Sequence, residues 1–369
     1  MQREKEIATR IVEGFKGKKI YPYEVRISPT NKCNLNCLPC VSRGKPIYRK
    51  NKELSTEKYL RIIRESAELG VRMFDICGGG EPFTRKDTIL LLKEIKENGL
   101  VGTVSTSGTL LSKKYLKTLV EIEWDEIRFS LNGPNSQIDD KIRGMKGAFK
   151  RSVNAIKFLV HLKEKLRKEK PKIILTPVLV SLNSRYIKEF TTLAFKLKAD
   201  ALLLQPFMSE VLEELPNVEY RKRLSETLRL KKKDLIEFKK ILKEAKVLAG
   251  KYNLHTNFDF FDFEPEKKST VELMKEVMIK ERRLLSIPCY YPWWVLDIDS
   301  EGNARPCTRA LKGENISNKS LKEVWNNPEF KKLREYLAKS KIPSFCKTCC
   351  PISIQDNITI REILKNYEF

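Results

Sequence analysis

Cys33, Cys37 and Cys40 share one short loop directly after the first strand-like run, Glu24 to Ser28, and they constrain this chain more than any other feature. Gaps of three and then two residues let a single loop wrap three corners of a cubane iron–sulfur cluster, which takes one thiolate per iron. A fourth thiolate is missing nearby. One iron is therefore left open to the amino and carboxylate groups of a small molecule. A structural zinc loop would need a fourth Cys or His close by in space, no further cysteine lies near in sequence, and the chain has only two histidines, His161 and His255.

From Tyr23 to about Phe207, short β-branched runs alternate with longer helical patterns, the signature of β/α units on a parallel sheet. The strand candidates are Glu24 to Ser28, Val71 to Ile76, Val101 to Ser105, Glu126 to Leu131, Lys172 to Val180 and Ala201 to Gln205. Helical patterns over Thr56 to Leu69 and Thr88 to Asn98 end at Gly70 and Gly99, where a helix C-cap favours glycine. Six units are fewer than the eight of a closed barrel. The expected fold is α/β: an open, partial (β/α)6 TIM-like barrel, with its chemistry at the C-terminal strand ends, followed by a small cysteine-rich unit. The expected division is a charged N-terminal segment over 1–22, the barrel over 23–210, a helical connector over 211–288 and the cysteine-rich domain over 289–369.

Further motifs follow the other strands. Gly78-Gly79-Gly80-Glu81-Pro82 follows the second, Ser105-Thr106-Ser107-Gly108 the third, and Ser130-Leu131-Asn132-Gly133 the fourth, with Ile142-Arg143-Gly144 beyond. With the CxxxCxxC spacing, this set resembles the radical S-adenosylmethionine (SAM) superfamily. The resemblance implies a 4Fe-4S cluster on Cys33, Cys37 and Cys40, and SAM bound on its open iron. It also implies that Gly79, Gly80 and Glu81 form the loop for the SAM methionine amine. Ser105, Ser107, Ser130 and Asn132 would face the ribose, and Arg143 the SAM carboxylate. Pro39 stands where family members usually place an aromatic residue against the adenine. Asn183, at the end of the fifth strand, is a further ligand-facing candidate, and also a residue type common at helix N-caps. Cys77 stands alone at a strand end, where a cysteine is most often a small buried residue.

Cys289 and Cys307 flank a hairpin-like stretch, and Cys346 and Cys349 follow two short amphipathic helices. Four thiolates could saturate a second cubane or hold a structural zinc. Cys350 is an alternative to Cys349. The Gly302-Asn303 to Pro306-Cys307 turn and the helix from Ser320 to Phe330 resemble the twitch domain, the shortened form of the SPASM domain. With no cysteine after Cys350, the resemblance implies one auxiliary 4Fe-4S cluster.

The net charge of +24 invites a nucleic-acid reading, but acidic residues interleave with basic ones, as over Leu228 to Lys246, which suits solvated helix faces or a thermophile surface. A nucleic-acid partner is disfavoured. An acidic electron donor, a reduced ferredoxin or flavodoxin, is expected to dock instead. Neither a secretory signal nor a run of about twenty apolar residues is present, so a cytoplasmic location without a membrane span is expected. The family resemblance implies reductive cleavage of SAM to a 5′-deoxyadenosyl radical and hydrogen abstraction from a peptide or small-molecule substrate, with the auxiliary cluster assisting oxidation or cross-linking. An RNA-modifying enzyme and a non-catalytic iron–sulfur electron carrier are the alternatives. The N-terminal segment over 1–22 is expected to be too short for a fused leader-peptide-binding domain, which leaves a separate one open.

Overall fold

A computed structural model describes the chain except for residues 1, 41–52, 208–217, 263–274, 276–277, 280–281, 309–312, 349–350 and 368–369. Its strands are β1 (Glu24–Ile27), β2 (Met73–Ile76), β3 (Val101–Thr106), β4 (Glu126–Phe129), β5 (Lys172–Leu175), β6 (Val178–Leu179), β7 (Ala201–Leu202), β8 (Gln205–Pro206), β9 (His255–Thr256), β10 (Val295–Ile298), β11 (Asn303–Arg305) and β12 (Glu314–Asn315). Helices α1 (Gln2–Phe15), α2 (Thr56–Glu68), α3 (Thr88–Glu97), α4 (Lys113–Glu121), α5 (Ser136–Arg143), α6 (Ala148–Leu166) and α7 (Ile187–Lys196) come first. They are followed by α8 (Val218–Leu228), α9 (Lys232–Lys251), α10 (Leu321–Trp325), α11 (Pro328–Ala338) and α12 (Pro351–Leu364).

One sheet carries the order β12-β11-β10-β1-β2-β3-β4-β5-β7-β9, and its two ends do not pair with each other, so it stays open. Every neighbouring pair from β10 to β9 is parallel; β10–β11 and β11–β12 are antiparallel. The cysteine-rich segment thus adds its strands to the barrel sheet beside β1. Two of the expected strands are broken. Lys172 to Val180 divides into β5 and β6 at Thr176 and Pro177, where proline offers no N–H to a ladder, and Ala201 to Gln205 divides into β7 and β8. The displaced halves, β6 and β8, pair as a separate two-stranded sheet.

Residues alternate along each barrel strand. Val25, Ile27, Phe74, Ile76, Val104, Ile127 and Phe129 join Leu296 and Ile298 in the core formed with the outer helices, including Tyr59, Ile62 and Ile63 of α2 and Ile156 of α6. Their neighbours on the opposite face are Glu24, Arg26, Asp75, Thr103, Glu126, Arg128 and Asp297. A parallel strand with two apolar faces would read as an unbroken hydrophobic run. Here the inner face is polar, and the barrel lumen is lined with charge.

The N-terminal segment is not merely charged. Ile7, Ala8, Ile11 and Val12 recur at helical spacing on α1 and are buried in a second core with Leu284, Ile287, Tyr290, Trp294, Ile360 and Leu364. Arg3 on this helix pairs with Glu24 at 3.3 Å, at the N-terminal end of β1.

Candidate functional site

Three loops interlock at the C-terminal ends of β1, β2 and β3. Gly80 N donates to Thr30 O at 2.7 Å and Glu81 N to Lys32 O at 2.8 Å, joining the glycine loop to the segment that enters the cysteine loop. Gly79 has φ +60°, and a Cβ added at Gly80 would lie 2.0 Å from the Lys32 carbonyl oxygen. Gly80→Ala is therefore expected to destabilise the protein by about 1–3 kcal/mol and to lower its iron content after reconstitution. Denaturant unfolding and iron analysis check this.

Glu81 is buried and turned inward. Its carboxylate accepts Thr106 Oγ1 at 2.7 Å and Ser107 N at 2.6 Å, so it ties the glycine loop to the end of β3. Ser107 Oγ and Thr109 Oγ1 lie 2.9 Å apart, and Asn34 on the cysteine loop donates to Thr109 Oγ1 at 2.9 Å. Ser105 and Ser130 are half-buried on the lumen face, and Ser130 N is held by Thr106 O.

Arg143, which the motif resemblance directs at the SAM carboxylate, is fully buried and committed to protein acceptors. It donates to Asp139 Oδ2 at 3.0 Å, Ser152 Oγ at 3.0 Å and Ser107 O at 2.6 Å. The other Asp139 oxygen accepts the N–H groups of Asn132 and Gly133. Arg143 thus locks the loops after β3 and β4 together, with its buried Nε left without a hydrogen-bond partner. The C-terminal carbonyls of α5 hold a further loop in place. Arg143 O accepts Asn36 N and Ile142 O accepts Leu38 N, pinning the cysteine loop. Gly144 takes the left-handed C-cap there, with no room for a Cβ against Asn36 O.

Asn132 is buried, and its Oδ1 accepts Val178 N at 2.8 Å. Asn183 donates to Asn132 O and Val178 O and accepts Val180 N, so it stitches β6 in place and makes no side-chain N-cap bond. Pro39 is half-buried in the turn before Cys40. The thiols of Cys33, Cys37 and Cys40 are electrostatic neighbours. Burial and the Cys40 charge push Cys37 up to about 12 against the pull of Arg143. Among the described residues, no three His, Cys, Asp or Glu side chains close around a single metal ion. The donor set fits an iron–sulfur cluster: three adjacent, partly exposed thiols, of which Cys33 and Cys37 are pushed up chiefly by burial, a cost that a bound cationic centre would offset.

In the second cysteine group, Cys289 is buried and Cys346 is its electrostatic neighbour, pushed up to about 12 by burial and then by Cys289. Cys307 follows β11 and lies near Tyr291, two residues past Cys289. Cys349 and Cys350 lie outside the described residues. Asn357 on α12 donates to Cys289 Sγ at 3.4 Å and accepts Tyr290 N, a sulfur contact of the kind that tunes a cluster. Cys77 lies on the lumen face beside Asp75, its thiol pushed well above the ordinary range by burial and then by the Asp75 charge. Asp139, Ser152 and Asn357 carried no motif signal. Only their contacts reveal them.

Comparison with known proteins agrees with this geometry. Residues 27–179 match the Radical SAM superfamily, and residues 289–350 match an iron–sulfur cluster-binding domain, SPASM. Over 345 residues the chain is 24% identical to the PqqA peptide cyclase of Bradyrhizobium diazoefficiens, covering 89% of this chain and 78% of that one. Over 120 residues it is 39% identical to the Fe-coproporphyrin III synthase of Methanosarcina barkeri, covering 32% of this chain but only 29% of that one. The fold resembles crystalline Streptococcus suis SuiB bound to S-adenosylmethionine, with TM-score 0.65 and 20% identity over 88% of this chain and 71% of that one. The chain belongs to the radical SAM superfamily and carries a SPASM domain. Among the described residues, no helix is long and apolar enough to cross a membrane.

Proposed function

We propose that this chain is a radical SAM enzyme acting on a peptide or a small molecule. The observation that carries the reading is the interlocking of the cysteine, glycine and Ser107 loops at adjacent strand ends. Cys33, Cys37 and Cys40 would hold a 4Fe-4S cluster, and Cys289, Cys307 and Cys346 an auxiliary one, with Cys349 or Cys350 as its fourth ligand. When bound, the first cluster and SAM supply a 5′-deoxyadenosyl radical that takes a hydrogen atom from the substrate. The chain's own residues orient and enclose. Gly79 and Gly80 would let the SAM methionine approach the backbone, Ser105 and Ser130 would offer hydroxyls from the lumen wall, and Pro39 would stand on the adenine side. Glu81, Asn132 and Arg143 hold these loops without needing to touch SAM.

A passive electron carrier would need the thiols but not the interlocked loops around them. The extended alignment with a peptide cyclase supports a peptide substrate, and the shorter one with a coproporphyrin enzyme supports a small molecule. A reduced ferredoxin or flavodoxin would supply the electron, meeting the basic surface in the cytoplasm, where thiols stay reduced. Anaerobic incubation with SAM and dithionite tests the proposal. Formation of 5′-deoxyadenosine is expected, and its absence from a fully clustered sample would overturn the reading.

A further inference from the structure

The charges of the lumen alternate in sign from strand to strand. Asp297 on β10 stands beside Arg26 on β1, which stands beside Asp75 on β2, with Arg128 and Glu126 on β4 beyond the Thr103 of β3. Nearly every member has a partner. Asp75 accepts Thr103 Oγ1 and lies 3.5 Å from Arg128; burial pushes its carboxyl up, but Arg128 and Arg26 outweigh this and hold it below the usual range. Glu24 is held by Arg3 and Arg26, and Glu126 by Arg128 at 2.6 Å.

Asp297 is the exception: its Oδ2 is buried and has no hydrogen-bond partner. Of the two guanidinium groups beside it, Arg26 is engaged elsewhere, whereas Arg305 makes one ion pair and keeps a buried Nε without a hydrogen-bond partner. Arg26 donates to Glu24 and to the Tyr291 hydroxyl, while Arg305, opposite Asp297 in the β10–β11 register, lies 3.6 Å from Asp299. The groups facing Asp297 are thus Arg26 and Glu24 from β1, Asp75 from β2, Arg305 from β11, and Tyr291 and Cys77 at its margins. Burial lifts its carboxyl to about 7 against the pull of Arg26, with Glu24 and Asp75 adding to the lift. An acceptor left unpaired in such a setting carries a desolvation cost that only a donor can relieve.

We propose that Asp297 is the anchor of a substrate subsite in the barrel lumen and takes a protonated amine, carried by a peptide or by a small amine. The inference rests on the enzymatic reading and narrows it. Arg26 and Arg128 already have acidic or hydroxyl partners and Arg305 is ion-paired with Asp299, so the subsite offers the unpaired Asp297 oxygen to a cation.

Infrared difference titration of the cluster-reconstituted chain, labelled with 13C at the Asp side-chain carboxyl, tests this without SAM or turnover. A carboxyl titrating near pH 7 is expected in the wild type and should vanish in Asp297→Asn. Saturating n-butylammonium chloride should move the midpoint down by one pH unit or more, a tenfold linkage. Sodium butyrate or sodium chloride at equal ionic strength should leave it in place. Lysine-containing and norleucine-containing N-acetylated tripeptide amides then separate a peptide source from a free amine, since only the former should act below the butylammonium concentration. Because Asp297 holds its proton more tightly folded than unfolded, its stabilising share is present below about pH 4 and is lost as pH rises to about 7. Asp297→Asn should therefore gain stability relative to the wild type at pH 8 compared with pH 5, a control on its folding. A midpoint unmoved by butylammonium, or moved equally by butyrate, overturns the subsite. A failure to form 5′-deoxyadenosine overturns the enzyme reading instead.

Discussion

Replacing Cys33, Cys37 and Cys40 together by alanine is expected to remove about four of about eight irons and to abolish 5′-deoxyadenosine formation. The three thiols contribute little to the fold itself. Cys33 is exposed, Cys37 and Cys40 are half-buried, and the contact from Leu35 N to Cys33 Sγ spans 3.4 Å. What holds the loop are backbone bonds from Asn36 and Leu38 to the end of α5, which the substitutions leave intact. Circular dichroism and thermal unfolding of the metal-free variant should match the metal-free wild type. Retention of about eight irons would mean that the loop holds no cluster.

Arg143→Ala is expected to cost about 3–5 kcal/mol, because it leaves the Asp139 carboxylate buried with its charge partner removed. Arg143→Lys should recover little of this. One ammonium cannot reach Asp139, Ser152 and the Ser107 carbonyl together in the guanidinium's planar geometry. Denaturant unfolding of the metal-free protein gives the number. An Arg143 that served SAM alone would leave unfolding unchanged and weaken only SAM affinity, which is the outcome that contradicts the positioning role.

The barrel's six strand regions and both cysteine groups were legible because each is written locally, in period-two runs, glycine C-caps and ligand spacing. Elements whose reason is tertiary were not. Two-residue β9 exists because Asn257 beside it supplies both its amide donor and its acceptor to the backbone of Leu204, a pairing no sequence period encodes. Helix α1 carried its signal at Ile7, Ala8, Ile11 and Val12, but charge on the other faces masked it. At the site, motif resemblance marked the loops that interlock in the structure, without separating residues open to the lumen from those that hold the loops. Glu81, Asn132 and Arg143 differ from Ser105 and Ser130 in this respect only through burial and partners. Asp297 was invisible because it lies in a strand of the cysteine-rich segment, and only the sheet order brings that strand beside β1.

The central claim is an iron left open by a three-thiolate loop, and electron–nuclear double resonance on the dithionite-reduced protein addresses it directly. With SAM labelled with 15N at its amine and 13C at its carboxylate, the account predicts hyperfine coupling of both labels to a cluster. That coupling should be absent when Cys33, Cys37 and Cys40 are alanine. A reduced, fully clustered wild type that shows no coupling to either label would contradict it.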